Sequence, residues 1–96
     1  MKILGYSYQV QRSGHSDDLG ASGRCHQLKQ TIQIASNLTK EGAQSTLLHE
    51  ILEALNYHLQ LELGEGVIMS LESGLFQVLA DNGVDLSPLL REEKCE

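Results

Sequence analysis

Polar and apolar residues alternate along the first third of the chain. Every second residue of segment 4–10 is apolar and its neighbours are polar or glycine, which predicts a strand with one buried face. Segments 24–29 and 31–35 show the same two-residue period, the former more weakly. Residues 12–23 are rich in Gly, Ser and Asp and predict a loop. Residues 1–35 are therefore expected to form a small antiparallel sheet of about three strands.

The hydrophobic period lengthens to that of an α-helix after residues 36–39, where Ser36, Asn37 and Thr39 are each suited to cap a helix N-terminus. Apolar residues recur at helical spacing over 40–61 and again over 66–81, and glycines break the chain between the two segments. Residues 84–96 form a short tail. The pattern predicts a single α+β domain of 96 residues, in which the sheet packs on the two helices.

The composition excludes several classes of function. The net charge is −6 and the seven Lys and Arg residues are scattered, so neither nucleic acid nor an anionic membrane is an expected partner. No apolar run approaches a membrane span, and residues 1–6 lack the apolar core of a signal peptide. Cys25 and Cys95 leave a disulfide open but favour two thiols in a reducing compartment. A cytoplasmic location is expected.

Candidate chemistry is concentrated in the first helix. His49-Glu50-Ile51-Leu52-Glu53 follows the H-E-x-x-H spacing of zinc peptidases, with a carboxylate in place of the second imidazole. At roughly 100° per residue, Glu53 projects within about 40° of His49, and Glu50 lies to one side. Two ligands and a general base would thus have the layout of a zinc-peptidase helix. The other interpretation is a solvated face opposite the leucines, and the helix alone favours it.

A carboxylate also lies beside the apolar stripe of the second helix. Glu72 has only apolar neighbours one turn away along its helix. A carboxylate that faces a core must be paired, hydrogen-bonded or protonated. Three arrangements are open: a metal ion held together with His49 and Glu53, a hydrogen bond from His49 or Tyr57 without metal, or access to solvent. Together with Glu72, the first helix favours a metal site.

At these residues the chain resembles the minimal zincin-like proteins of phages and prophages, which are small relatives of the gluzincin metallopeptidases. The resemblance covers most of the chain. Its segments are Lys2-Ile3-Leu4-Gly5-Tyr6, Gln30-Thr31-Ile32-Gln33-Ile34, Thr46-Leu47-Leu48-His49-Glu50-Ile51, Leu71-Glu72-Ser73-Gly74-Leu75-Phe76-Gln77-Val78-Leu79 and Asp81-Asn82. The family implies a short sheet, an active-site helix over 40–61 and a second helix that carries a glutamate ligand.

The resemblance also implies roles for individual residues. His49 would be the first zinc ligand, Glu72 the third ligand and Glu50 the general base, while Glu53 stands where the family has its second histidine. A His/Glu/Glu set is harder and more anionic than His/His/Glu, so it also admits other divalent ions.

The implied function is zinc-dependent hydrolysis of a peptide bond, with a peptide or protein substrate in a groove beside an exposed edge of the sheet. The alternative is a catalytically degenerate zincin fold that serves as a protein-binding or regulatory module without metal. The cytoplasm would be that of the host cell if a phage encodes the chain. The Leu-rich helix pair leaves a homodimer open.

Overall fold

The computed structural model describes residues 1–90 and confirms the α+β class. Two small sheets pack against two long helices. The strands are β1 (Lys2–Ile3), β2 (Tyr6–Ser7), β3 (Gln9–Arg12), β4 (Gly23–His26) and β5 (Thr31–Ile34), and the helices are α1 (Ser16–Leu19), α2 (Lys40–Leu59) and α3 (Glu65–Asp81). A single 3₁₀ turn follows at Ser87–Leu90. Within residues 1–90 no helix is long and apolar enough to cross a membrane.

The alternating segment at the start of the chain is not one continuous strand. The chain reverses at Leu4 and Gly5, whose φ angles of 52° and 83° are those of a two-residue hairpin turn. β1 and β2 pair across this turn, and Tyr6 faces solvent with 45% exposure. Only Tyr8 and Val10 continue into the core, each 1% exposed. Leucine is not a residue type that favours a positive φ, so the sequence does not predict a turn at Leu4. The alternating pattern instead predicts one strand that runs through it.

The larger sheet is mixed rather than wholly antiparallel. Its strand order is β3-β5-β4, with β5 parallel to β3 and antiparallel to β4. β5 takes the central position because its two isoleucines, Ile32 and Ile34, are fully buried. The connection at residues 13–22, which contains α1, carries the chain across the sheet so that β5 enters between its neighbours. β4 consequently forms one edge.

α2 is the central element of the fold. Thr39 caps it as expected, accepting a hydrogen bond at 3.0 Å from the amide of Gly42. Ala43, Leu47 and Ala54 are fully buried against the sheets. The helix ends at Leu59, two residues before the predicted boundary.

The sheet and α2 approach each other most closely at Gly23, the first residue of β4. A Cβ atom there would lie 2.6 Å from Cγ2 of Thr46, 3.0 Å from the carbonyl oxygen of Gln33 and 3.3 Å from a carboxylate oxygen of Glu50. Only a glycine therefore lets the edge strand lie directly on the helix face that carries the candidate site.

Gly23→Ala is expected to lower the free energy of unfolding by about 1–3 kcal/mol, because overpacking forces neighbours apart. Thr46→Ser removes the nearest atom, so the double variant is expected to recover part of that loss. Denaturant unfolding of both single variants and the double variant measures this coupling. A Gly23→Ala protein as stable as the wild type would contradict the close approach.

α3 packs on α2 with one face. Ile68 is 1% exposed, and Glu72, Phe76 and Leu79 are half-buried on the same side. The apolar stripe that the sequence predicts for this helix is broader than this face. Four further members remain at least 39% exposed: Val67, Leu71, Leu75 and Val78. They face away because α2 is the only element in residues 1–90 on which α3 packs extensively.

The first part of the predicted tail is docked on the domain. Buried Gln44 donates to the hydroxyl of Ser87 at 3.1 Å and accepts from the amide of Leu86 at 3.0 Å. Leu90 joins the core. The rest of the predicted tail, residues 91–96 with Cys95, lies outside the described residues.

Candidate functional site

One face of α2 carries the candidate residues into a cleft between β4 and α3. His49 and Glu53 are half-buried and one turn apart, as the helical spacing predicts. Glu50 points toward β4 and is only 6% exposed. This face is thus not a solvated surface, because the edge strand covers one side of it and α3 the other.

Both ring nitrogens of His49 meet carboxylates. Nδ1 lies 2.7 Å from Oε1 of Glu72, and Nε2 lies 3.1 Å from Oε1 of Glu65. The other carboxylate oxygen of Glu72 accepts a hydrogen bond at 2.6 Å from the hydroxyl of Ser45. Of the three arrangements open for Glu72, the structure therefore has the direct hydrogen bond from His49.

Glu65 is brought to the cleft by the turn between the two helices. Asn56 fixes this turn by accepting from the amide of Leu63 at 2.9 Å and donating to its carbonyl at 3.3 Å. Gln60 and Glu62 reverse the chain with φ angles of 53° and 59°. Glu65 then opens α3, where the helix dipole favours an anion. Its side chain remains 60% exposed beside His49.

A histidine and two glutamates lie within reach of a common metal ion. One ligand atom from each of His49, Glu53 and Glu65 lies within 4.8 Å of the other two. Two of the predicted ligands, His49 and Glu53, belong to this group. Glu72, the third predicted ligand, is placed on the far nitrogen of the imidazole instead. The zinc-ligand roles of these residues remain predictions.

The position of Glu50 changes its acid–base behaviour. Burial raises its pKa to about 7, and the negative charges of Glu53, Glu65 and Glu72 add to this effect against the opposing influence of His49. Its carboxyl group makes no hydrogen bond to any residue of the described part of the chain. A carboxyl group that titrates near neutral pH at the wall of a cleft can both accept and donate a proton there.

The carboxylates around His49 raise the pKa of its imidazole. Burial alone would lower it, but the hydrogen bond with Glu72 and the charges of Glu50, Glu72 and Glu65 together raise it. Without a cation the imidazole is accordingly stabilised in its protonated form. A cation at Nε2 would have to displace that proton, so cation affinity is expected to fall as the pH is lowered.

Two adjoining clefts open at this site. The smaller has a volume of about 280 Å³ and is lined by Thr46, His49, Met69 and others, and the larger, of about 600 Å³, runs along β4. They share five lining residues: Ala21, Gly23, His49, Glu50 and Glu65. All four residues of β4 line the larger cleft, and β4 is an edge strand of the described sheet because it pairs with β5 alone.

The remaining histidines and the described cysteine are not members of the group of three. His58 is bonded to the hydroxyl of Tyr8 at 2.6 Å and stacks on Tyr6, far round the helix from His49. His15 and His26 are exposed. Burial raises the pKa of the Cys25 thiol to about 12, with further contributions from Glu50 and Glu53, as befits a packed thiol.

Sequence reasoning missed Glu65 and Ser45. Glu65 stands seven residues before Glu72, two helical turns on the same face, and this spacing is the signal that could have found it. Ser45 stands four residues before His49 and has no comparable signal, because serine on a helix ordinarily faces solvent. No protein-family model, curated protein or solved structure matches the chain.

Proposed function

We propose that the protein is a divalent-cation-dependent hydrolase of the zincin-like type, which cleaves a peptide bond in a chain bound along β4. One observation carries the proposal: His49, Glu53 and Glu65 converge in a cleft beside a buried, titratable Glu50. Zinc is the proposed ion, and the carboxylate-rich ligand set also suits other divalent ions.

The three side chains fit a catalytic cation. One imidazole and two carboxylates leave a coordination position open for water or substrate, and their two negative charges balance a divalent ion. The ligand atoms of the three side chains lie within 4.8 Å of one another, so small side-chain movements would let them hold one ion. The second nitrogen of a metal-bound histidine is usually held by a carboxylate, and Glu72 has that position.

Each residue would have a separate task. When bound, the ion would polarise the scissile carbonyl and lower the pKa of a water molecule. Glu50, buried at the wall of the cleft, would accept a proton from the attacking water and transfer it to the leaving amine. Glu72 fixes the imidazole of His49 with Nε2 toward the cleft, and Ser45 fixes Glu72.

The edge of β4 supports a peptide as the substrate. An extended segment could add to β4 as a further strand, because β4 is an edge strand and its residues line the cleft that also reaches His49 and Glu50. Backbone hydrogen bonds of this kind would hold the scissile bond next to the ligand group without requiring a particular side chain. The proposed substrate class is therefore an unfolded polypeptide.

Thermal unfolding with a divalent ion and with a chelator tests the cation site. At a concentration of zinc about 100 times the dissociation constant, binding is expected to stabilise the protein by about 2.7 kcal/mol, which raises the unfolding midpoint by roughly 10–20 °C in a domain of this size. Glu53→Gln removes one ligand charge and is expected to lose most of this gain.

Glu62→Gln is the matched control, since it makes the same chemical change at an exposed position outside the group. It is expected to respond to zinc as the wild type does. An identical midpoint with zinc and with chelator would refute the cation site. Cleavage is assayed separately, by mass spectrometry of an unfolded polypeptide incubated with the zinc-loaded protein. If zinc raises the midpoint but no new termini appear, the cation site stands and the proposed hydrolysis is refuted.

A second candidate function is a binding module without metal. The observation that favours it is the direct contact of both nitrogens of His49 with Glu65 and Glu72, which joins α2 and α3 without an ion. In that case a peptide would still bind along β4, and chelator would leave its affinity unchanged. Fluorescence titration of a labelled unfolded peptide, with and without chelator, separates this function from the hydrolase.

A further inference from the structure

The outer face of α3 is apolar and has no partner among residues 1–90. Val67, Leu71, Leu75 and Val78 are 50%, 39%, 41% and 59% exposed and share one side of the helix. Single exposed apolar residues are ordinary, but a continuous apolar stripe along a helix marks an interaction site. Helical spacing puts this stripe on the side of α3 away from Glu65, so the stripe and the cleft are separate.

Gly74 lies in the middle of this stripe, and the fold of one chain gives no reason for it. A Cβ atom at Gly74 would meet no atom of residues 1–90 within 4 Å. Its φ is not in the left-handed region, and glycine in a helix interior is less favourable than alanine. A glycine that the monomer does not use, set between exposed apolar residues, permits the close approach of another helix.

We propose that this stripe pairs with the same stripe of a second copy of the chain, with the two α3 helices antiparallel. Leu75 lies at one edge of the stripe, and the other four positions form its centre. These are Val67, Leu71, Gly74 and Val78, which are spaced by four, three and four residues, so the spacing reads the same in both directions. A two-fold axis at the centre of the stripe places Leu71 of each copy opposite Gly74 of the other. The same axis places Val67 opposite Val78, and a large side chain thus meets a small one at the closest point.

The charge distribution is compatible with a second copy at this face. The chain carries a net charge of −6, so two copies repel each other over most of their surface. Between residues 66 and 80, Glu72 is the sole charged residue, and its carboxylate is turned inward to His49 and Ser45. The outer face of α3 is therefore a place where two copies can meet without opposing like charges.

The pairing is expected to be reversible. The 17-residue helix is about 25 Å long, and one such face lies at the small end of specific interfaces. Wild-type protein is expected to pass from monomer to dimer in sedimentation velocity as its concentration rises through the micromolar range. A monomer at every concentration would overturn the proposal.

Leu71→Glu tests the position of the interface. It puts a carboxylate into the centre of the stripe twice per dimer and is expected to raise the dissociation constant at least about tenfold. Ser73→Glu is the matched control, because it adds the same charge to an exposed position of α3 outside the stripe. Equal weakening by both variants would show a general charge effect and would overturn the assigned face.

Gly74→Leu tests the close approach. Leucine favours the helix and makes the stripe more apolar, so unspecific hydrophobic association would become tighter. In the proposed dimer it fills the space that receives Leu71, and the dissociation constant is expected to rise although the monomer unfolds at a higher temperature. A tighter dimer would overturn the pairing of Leu71 with Gly74.

Three double variants test the antiparallel register. Val67→Lys/Val78→Glu places opposite charges across the interface, whereas Val67→Lys/Val78→Lys and Val67→Glu/Val78→Glu place like charges there. The mixed variant is expected to dimerise more tightly than both others. If instead affinity followed net charge, with the double lysine variant tightest, the register would be wrong.

Discussion

Glu50→Gln is expected to remove most of the proposed hydrolytic activity and at the same time to stabilise the cation-free protein above about pH 7. Both effects follow from one property: Glu50 is 6% exposed, and burial raises its pKa from 4.5 to about 7. Loss of a general base reduces the rate by about 10²–10⁴. The same substitution removes a carboxylate that the folded chain must hold ionised in a desolvated position.

The stability effect depends on pH in a defined direction. Between about 4.5 and 7 the folded protein retains a proton on Glu50 that the unfolded chain has lost, so the free energy of unfolding falls as the pH rises. Glutamine has no such penalty. The variant is thus expected to match the wild type near pH 4, below both pKa values, and to exceed it by up to about 3 kcal/mol at pH 8.

Denaturant unfolding of both proteins at these two pH values measures the difference. Glu62→Gln serves as the control, because it removes a carboxylate at an exposed position. With zinc bound, the nearby positive charge stabilises ionised Glu50, so the difference in the free energy of unfolding between the variant and the wild type is expected to shrink. A variant that is equally stable or less stable at pH 8 would contradict the buried, titrating carboxyl group.

The expected gain also bears on what the site is for. A measured gain would show that the fold does not depend on Glu50 for its stability. The hydrogen-bonded module does not require Glu50, because the contacts that join α2 and α3 are made by His49 with its partners Glu65 and Glu72. The hydrolase does require it.

The sequence predicted the parts of the site that lie on one helix. The relation of His49, Glu50 and Glu53 depends only on the pitch of α2, so roughly 100° per residue was enough to place them. The packing of α2 on the sheet also followed from the leucine and isoleucine spacing. The existence, type and approximate bounds of α2 and α3 followed from the same periodicity.

The contacts between the helices could not be predicted in this way. The register of α3 against α2 is fixed by the turn at residues 60–64, which depends on the side chain of Asn56 and on positive φ angles at Gln60 and Glu62. None of these three residue types predicts such a turn at its position. The apolar neighbours of Glu72 in the sequence predicted that its carboxylate needs a partner. The turn determines that this partner is Nδ1 of His49.

The sheet shows the same limit. The two-residue period located the strands approximately, but it does not encode direction. The parallel pairing of β3 with β5 depends on the path of residues 13–22, and the reversal at Leu4 and Gly5 depends on backbone angles. Gly23, which sets the distance between β4 and α2, is visible in the sequence only as one glycine among nine.

Two substitutions are expected to distinguish the proposed ligand group from the one that the zincin-like resemblance implies. Glu65→Gln removes a charge from the side chain next to Nε2 of His49 and is expected to weaken zinc binding strongly. Glu72→His removes the carboxylate that holds Nδ1, and loss of such an orienting partner lowers metal affinity about 10–100-fold.

The opposite pair of outcomes follows if Glu72 itself binds the ion. Imidazole is a good zinc ligand, so Glu72→His would then keep or improve the affinity, and Glu65→Gln, a change at an exposed position, would have little effect. Calorimetric titration with zinc at a temperature where both variants are folded measures the dissociation constants. Glu62→Gln reports the effect of removing one exposed charge near the site.

The structure favours the first pair of outcomes for a geometric reason. One carboxylate oxygen of Glu72 is 2.7 Å from Nδ1 of His49 and the other is 2.6 Å from the hydroxyl of Ser45, so both oxygens already have donors. A direct bond to an ion held at Nε2 would require Glu72 to leave its place beside Nδ1, on the opposite side of the imidazole ring. Glu65 is 60% exposed and beside Nε2, so it needs only a small side-chain movement to complete the ligand group with Glu53.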